Sequence, residues 1–307
     1  MSRFNTLVFI VAYDKPHYTS KVLDCFLKSK QVINTKLILI DNSKYNSIVN
    51  DSYFDYPKII HFKTKLKNKS SALNQATHEF CKNYNDFVVC LDNDVEFNDS
   101  FLKKYIEAAQ KNGSDYYYGT SFKIKNKPEI SPLWVKRYLQ GSQLGKSDEG
   151  FKKNNMFLGF SFAFFKVQWL NVYGFDERFG PGSKFNLGSQ ESTFQKKLKH
   201  KGYKPFLIKN NPITHKPLES SYEIKYVLKR VSRNGRTHGF ESLINDKSIF
   251  KIKFLNKLFL NSYSLVISLF QIKKDVKFKL YYLVGLVQSI YLYMCLPDKK
   301  SLYESDS

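Results

Sequence analysis

Apolar residues fall first in short unbroken runs, spaced widely enough for a helix between each pair. "TLVFIVAY" (6–13), "KLILIDNS" (36–43), "KIIHF" (58–62) and "DFVVCLDNDV" (86–95) are such runs. Continuous apolar stretches of this length predict strands buried on both faces. Helical spacing appears in the intervals. Pro16 opens a helix with Val22, Leu23, Phe26 and Leu27 on one face. Residues 70–83 place Leu73, Ala76 and Phe80 on one side. Asp99 is positioned to cap a helix carrying Leu102, Tyr105, Ile106 and Ala109. Strands alternating with helices predict an α/β fold: a mostly parallel sheet flanked by helices and joined by right-handed crossovers.

The rhythm breaks after Tyr118. Residues 123–155 hold Pro128, Pro132, Gly141, Gly145 and Gly150 among polar residues, and read as a long irregular excursion. "NMFLGFSFAFFK" (155–166) returns to the sheet. A glycine-rich loop, a helix from about Gln190 to Lys201 and a short strand "KPFLI" follow. From Glu219 the pattern is helical, basic and aromatic. The expected division is a sheet domain over 1–217 and a helical extension over 218–307. In the extension, 254–270 and 280–296 are apolar and tyrosine-rich, with Lys273, Lys274, Lys277 and Lys279 between them. Seventeen residues, 280–296, are at the short edge for a bilayer span. The composition fits an interfacial helix on an anionic membrane surface, against a helix pair packed on the sheet domain.

Charge narrows the classes of partner. The 307 residues carry 49 Lys/Arg against 27 Asp/Glu, a net +22, and the basic excess is concentrated between Lys196 and Lys279. With 42% hydrophobic and 16% aromatic residues the chain folds, and its field favours anionic partners. Cys25, Cys81, Cys90 and Cys295 form no CxxC pair; the first three lie among apolar neighbours and read as reduced thiols. The N-terminus runs directly into a strand without a cleavage-site pattern, so a cytoplasmic chain is expected.

The candidate chemistry is acidic. In an open parallel sheet, ligands bind beyond the carboxyl ends of the strands. "VAYD", "IDNS" and "LDNDV" fall at such ends. Asp92 and Asp94 are two residues apart, and strand periodicity would put both on one side. Two such carboxylates repel unless a cation lies near, and a hard divalent ion shares oxygen ligands with substrate phosphates. The alternative is an ordinary Asp-Asn-Asp surface turn. Asp41 can accept a hydrogen bond from a nucleobase, or can make an Asx turn. His215 is of interest only if the fold carries it to Asp94.

The ordered set resembles the family 2-type bacterial glycosyltransferases of the GT-A fold. The residues that carry the likeness are "FIVAYDKPHYTSKVLDCFLKS", "LILIDNS", "SSALNQA", "VVCLDNDVEFNDSFL", "GFDERFGPGSKFNLGSQESTFQKKLKHKGY" and "ITH". They span about residues 4–216 in the family's order. The resemblance implies a GT-A (Rossmann-like) sheet and a nucleotide-diphosphate sugar donor. It implies that Asp92 contacts the donor ribose, and that Asp94 and His215 bind Mn²⁺ or Mg²⁺. It further implies that Asp41 holds the base, with Ala12 and Tyr13 lining its pocket.

One position departs from the family. Where its members read Gly-Glu-Asp, with the Asp as base, this chain reads "GSQESTF", so Glu191 matches the Glu and Ser192 replaces the Asp. A serine hydroxyl must lose its own proton before it can take another. Either Glu191 has taken over deprotonation, or another carboxylate reaches in, or the chain is weakly active; the first makes Glu191 the expected base of an inverting, metal-dependent transfer. The acceptor would be a glycan or lipid-linked oligosaccharide in surface polysaccharide synthesis, at the inner face of the cell membrane. Two alternatives stand: a basic nucleic-acid-binding protein, although no RNP, helix-turn-helix or zinc-finger pattern occurs, and a GT-A-like protein with weakened catalysis.

Overall fold

The computed structural model describes residues 4–13, 16–29, 34–43, 51–125, 133–139, 156–245, 248–270 and 275–296. Most of the excursion, and Lys273 and Lys274, lie outside these residues.

Four apolar runs form the parallel half of one sheet: β1 (Thr6–Ala12), β2 (Thr35–Asp41), β3 (Ile59–Lys63) and β4 (Phe87–Asp92). β5 (Val95–Glu96), β6 (Tyr116–Ile124), β7 (Ser161–Phe165) and β8 (Lys204–His215) complete it in the order β3-β2-β1-β4-β7-β6-β8-β5. β7 runs antiparallel to both β4 and β6, β6 pairs β8 in parallel, and β5 pairs β8 antiparallel. The sheet is thus mixed. The run at 155–166 does return to it, reversed in direction.

Helices α1 (Pro16–Lys28), α2 (Lys69–Phe80), α3 (Phe101–Asn112), α4 (Lys166–Asn171) and α5 (Gln190–His200) accompany the sheet. One apolar cluster holds Val8, Ile10 and Leu39 with Leu23 of α1 and Tyr105 of α3; another holds Phe9, Val11 and Phe162 with Leu73 of α2 and Phe194 of α5. Alternate residues of β1 therefore feed different clusters, as the period-two geometry of a doubly covered strand requires. Asp99 does not cap α3. Ser100 stands at the boundary without a side-chain cap bond, and the Phe101 N–H is taken by the Asn98 carbonyl.

The last three helices are α6 (Ile224–Ile244), α7 (Ser248–Phe270) and α8 (Val276–Met294). α6 and α8 cross closely because glycine lies at the contact. A Cβ on Gly235 would come within 2.2 Å of the Tyr282 carbonyl oxygen, and one on Gly285 within 2.0 Å of that of Ser232. α6 is fastened to the sheet domain by an ion pair between Lys196 and Glu241 (2.8 Å) and by Phe240, which packs against Phe179 and Leu187. α7 and α8 nevertheless expose Leu255, Phe259, Leu260, Tyr263, Tyr291 and Met294. Among the described residues no helix is long and apolar enough to cross a membrane.

Candidate active site

Register sets the first part of the site. β1 pairs β2 with Ala12 opposite Asp41, and β4 with Val11 opposite Asp92. The three strands therefore end at one level, where the ligands of such sheets bind. Asp94 does not continue β4: it sits in the turn between β4 and β5. The expected strand periodicity of Asp92 and Asp94 fails for that reason. Another pairing brings Asp94 to its partner. β5 joins the end of β8 with Val95 opposite His215, and the Lys216 N–H donates to the Asp94 carbonyl at 3.0 Å. His215 Nε2 lies 3.7 Å from Asp94 Oδ1, and its ring stacks on Phe160 at 4.8 Å.

Glu191 enters in the first turn of α5, beyond Ser189, whose φ is 65°. Gly159 leaves room for it: a Cβ there would lie 2.3 Å from Glu191 Cδ. Between the two acidic elements stands Lys69, the first residue of α2. Its Nζ donates to Asp92 Oδ1 at 2.6 Å and to Glu191 Oε1 at 2.9 Å. Burial works against the ammonium, yet Asp92 and Glu191 outweigh it and raise the Lys69 pKa far above the ordinary lysine range. The segment ahead of Lys69 is pinned by the glycine-rich loop. The Lys69 N–H donates to the Pro181 carbonyl, and Gly182, at φ 80°, lies so close that a Cβ would fall 1.9 Å from the Lys67 carbonyl oxygen.

These side chains line one cleft of about 510 Å³. Asp92, Asp94, Glu191, Ser192, His215 and Lys69 all face it, with Tyr226, Arg230 and Arg233 of α6 on a wall. Asp41, Ala12 and Tyr13 are not among the lining residues. Asp41 is fully buried: Oδ1 accepts from the Ser43 N–H (2.9 Å) and hydroxyl (2.6 Å), and Oδ2 is 2.9 Å from His61 Nε2. Tyr13 donates its hydroxyl to the Lys67 carbonyl at 2.8 Å and accepts from Asn42. Burial raises its pKa, against Lys69 and the Asn42 hydrogen bond.

Sequence reasoning missed Lys69, and read the basic stretch 226–239 only as able to reach a pyrophosphate or lie on acidic lipid, without singling out Arg230 and Arg233. In "KNKSSALNQA" and "YVLKRVSRNGRTHG" they stand among other basic residues, and nothing in the spacing separates a buried cation from a solvated one.

The donor set can be tested for a cation. Asp94 Oδ1 is buried and has no hydrogen-bond partner. An orphaned carboxylate oxygen beside an imidazole nitrogen suits a hard or borderline divalent ion. Among the described residues no group of three or more His, Cys, Asp or Glu side chains could hold a metal. Among the described residues Asp94 and His215 are the two side chains placed to hold such an ion, and further ligands would come from a phosphate-bearing substrate.

A mixed Rossmann-like sheet with an acidic cleft at its strand ends is the arrangement of the GT-A fold. The chain belongs to Glycosyl transferase family 2, whose sequence model matches residues 7–174. The match ends before Glu191 and His215. Many solved structures share the fold. Mannosyltransferase PcManGT from Pyrobaculum calidifontis, in complex with GDP-Man and Mn²⁺, superposes with a TM-score of 0.59 at 13% identity, over 94% of this chain and 88% of that one. S. aureus TarS gives 0.50 at 10% identity over 75% of this chain, which spans 39% of the length of TarS. No curated protein sequence matches.

Proposed function

We propose that this chain is an inverting, metal-dependent glycosyltransferase. It moves a sugar from a nucleotide-diphosphate sugar to a hydroxyl of a glycan or lipid-linked oligosaccharide. The observation that carries the proposal is the convergence in one cleft of the Asp94–His215 pair and the Asp92–Lys69–Glu191 bridge. PcManGT, of the same fold, binds GDP-Man and Mn²⁺.

Asp94 and His215 would hold Mn²⁺ or Mg²⁺, which when bound supplies positive charge against the leaving diphosphate. Asp92 would receive the ribose, and Ala12, Tyr13 and Asp41 would meet the base. In this reading one Asp41 oxygen gives up a present partner to meet a base edge. Glu191 takes the proton of the acceptor hydroxyl. Lys69 engages only its Oε1, so the proton goes to Oε2. The acceptor oxygen bonds to the anomeric carbon as the bond to the diphosphate oxygen breaks. A single base and attack opposite the leaving group give inversion. Lys69 fixes Asp92 and Glu191 relative to each other, so the ribose and the base share one frame.

The exposed apolar faces of α7 and α8 support seating on an anionic membrane surface at the inner face of the cell membrane, where acceptors for surface polysaccharide synthesis are anchored. Purified chain incubated with a panel of nucleotide sugars, Mn²⁺ and acceptor-lipid extract tests the proposal. The expected result is release of one nucleoside diphosphate, stopped by EDTA. Release unaffected by EDTA contradicts the metal assignment, and no release with any donor contradicts the activity.

A further inference from the structure

We propose that the acceptor carries a phosphate-type anionic group, and that Arg233 and Arg230 receive it on the Glu191 side of the cleft. This rests on the glycosyl-transfer reading and adds the acceptor's chemical class.

The basic motif of residues 226–239 does not lie only on the surface. α6 carries Arg230 and Arg233 at i, i+3 spacing, which puts them on one face, and both line the cleft with Tyr226 and Asn234. Arg230 is buried, and its guanidinium stacks over the Tyr226 ring at 4.8 Å, which holds its plane. The Nε of Arg233 is buried and no acceptor reaches it. Among the described residues no carboxylate lies within ion-pair distance of Arg233. Burial first, then Arg230 beside it, lowers its pKa. A guanidinium with an unmet buried donor, as in Arg233, is an unfavourable arrangement unless an anion completes it. Planar forks of N–H donors match the oxygens of phosphate.

Position separates this anion from the donor diphosphate. Arg233 adjoins the entry to α5: its Nε would lie 3.7 Å from a Cβ on Gly188, three residues before Glu191. Of the cleft carboxylates, Glu191 is the one whose charge bears on Arg233. That is where the acceptor hydroxyl must stand. The donor diphosphate would instead meet the divalent ion held by Asp94 and His215. A phosphodiester-linked polyol and a lipid phosphate near the accepting hydroxyl share the required chemistry.

The test is calorimetric titration of the full chain with glycerol 3-phosphate, with glycerol as control, in Mn²⁺ and a saturating nucleoside diphosphate (UDP, GDP, dTDP and CDP in turn). Glycerol 3-phosphate is expected to bind with the nucleotide in place. Arg233→Gln should weaken it about tenfold or more, Arg233→Lys should restore part of the loss, and nucleotide affinity should change less than about twofold. Far-ultraviolet circular dichroism shows whether each variant is folded; Arg233→Lys carries the comparison if Arg233→Gln is not. Displacement of glycerol 3-phosphate by nucleotide, or an equal loss of nucleotide affinity, assigns the arginines to the donor and overturns the proposal. Absence of Arg233-dependent binding both to millimolar glycerol 3-phosphate and to anionic vesicles also overturns it. If none of the four nucleotides binds but the Arg233-dependent phosphate site persists, the anion site stands and the glycosyl-transfer reading loses its support. Vesicles with and without phosphatidylglycerol distinguish the sources. Arg233-dependent binding only to the anionic vesicles identifies a lipid phosphate, and Arg233-dependent binding of the soluble ester alone identifies a polyol phosphate.

Discussion

Replacing Lys69 with methionine keeps the length of the side chain and removes its charge. The perturbation leaves Asp92 and Glu191 facing one another across the space that the ammonium held. The two bonds, at 2.6 and 2.9 Å, are charge-assisted. Breaking a buried pair by removing one partner costs about 3–5 kcal/mol. The Asp92 side chain is 32% exposed and Glu191 18%, so water recovers part of this, and about 2–4 kcal/mol is expected. For a chain of this size that lowers Tm by roughly 5–10 °C. The double variant Lys69→Met/Glu191→Gln should lose less than the sum of the single losses, by about 1–3 kcal/mol, because the single variants remove the same bond. Urea unfolding followed by circular dichroism measures all three. The pH dependence has a definite sign. The Lys69 pKa is raised above the ordinary 10.5. Its contribution is therefore complete below the unfolded value and is lost only as pH rises through the folded one, so the difference between wild type and Lys69→Met should not shrink between pH 7 and 9. Additivity within about 0.5 kcal/mol would refute the bridge.

Three further outcomes follow from other parts of the molecule. Glu191→Gln should lower sugar transfer by roughly 10²–10⁴ with nucleotide binding retained, and Ser192→Asp should raise transfer if the family's usual base is restored; a large gain from Ser192→Asp with little loss in Glu191→Gln would make Glu191 an acceptor contact. Gly235→Val forces a side chain against the Tyr282 carbonyl and should cost about 1–3 kcal/mol in urea unfolding, whereas unchanged stability would show that α6 and α8 do not cross this closely. A thiol reagent at pH 8 should label the exposed Cys295 at once and Cys81 only on unfolding, because burial, with Asp86 adding to it, pushes the Cys81 thiol up to about 12; rapid labelling of both would contradict the packing around α2.

The parallel half of the sheet was legible because strands buried on both faces must be apolar throughout, and "TLVFIVAY" or "DFVVCLD" has no other economical reading. β8 was not legible beyond "KPFLI". Its middle, "KNNP", is polar and bulged against β6, with Asn210 at φ 53°, so the pattern hides a strand that runs on to His215. The sense of β7 was equally hidden, since an apolar run does not encode direction. Among the candidate site residues, Asp92, Asp94, Glu191 and His215 were picked out by order and type, and they converge in the cleft. Lys69 was not, because a lysine that bridges two carboxylates far apart in sequence looks like any other in a chain of net +22. Asp41 presents the opposite case: the strand-end position was right, but its present partners, Ser43 and His61, are set by the fold.

The central claim is that Asp94 and His215 bind the divalent ion that a nucleotide sugar shares. Electron paramagnetic resonance of Mn²⁺ titrated into the chain, with and without the nucleoside diphosphate identified in the donor panel, tests it most directly. Mn²⁺ should bind weakly alone and more tightly with the nucleotide, and Asp94→Asn should lose that enhancement while staying folded. Enhancement of equal size in wild type and Asp94→Asn would contradict it.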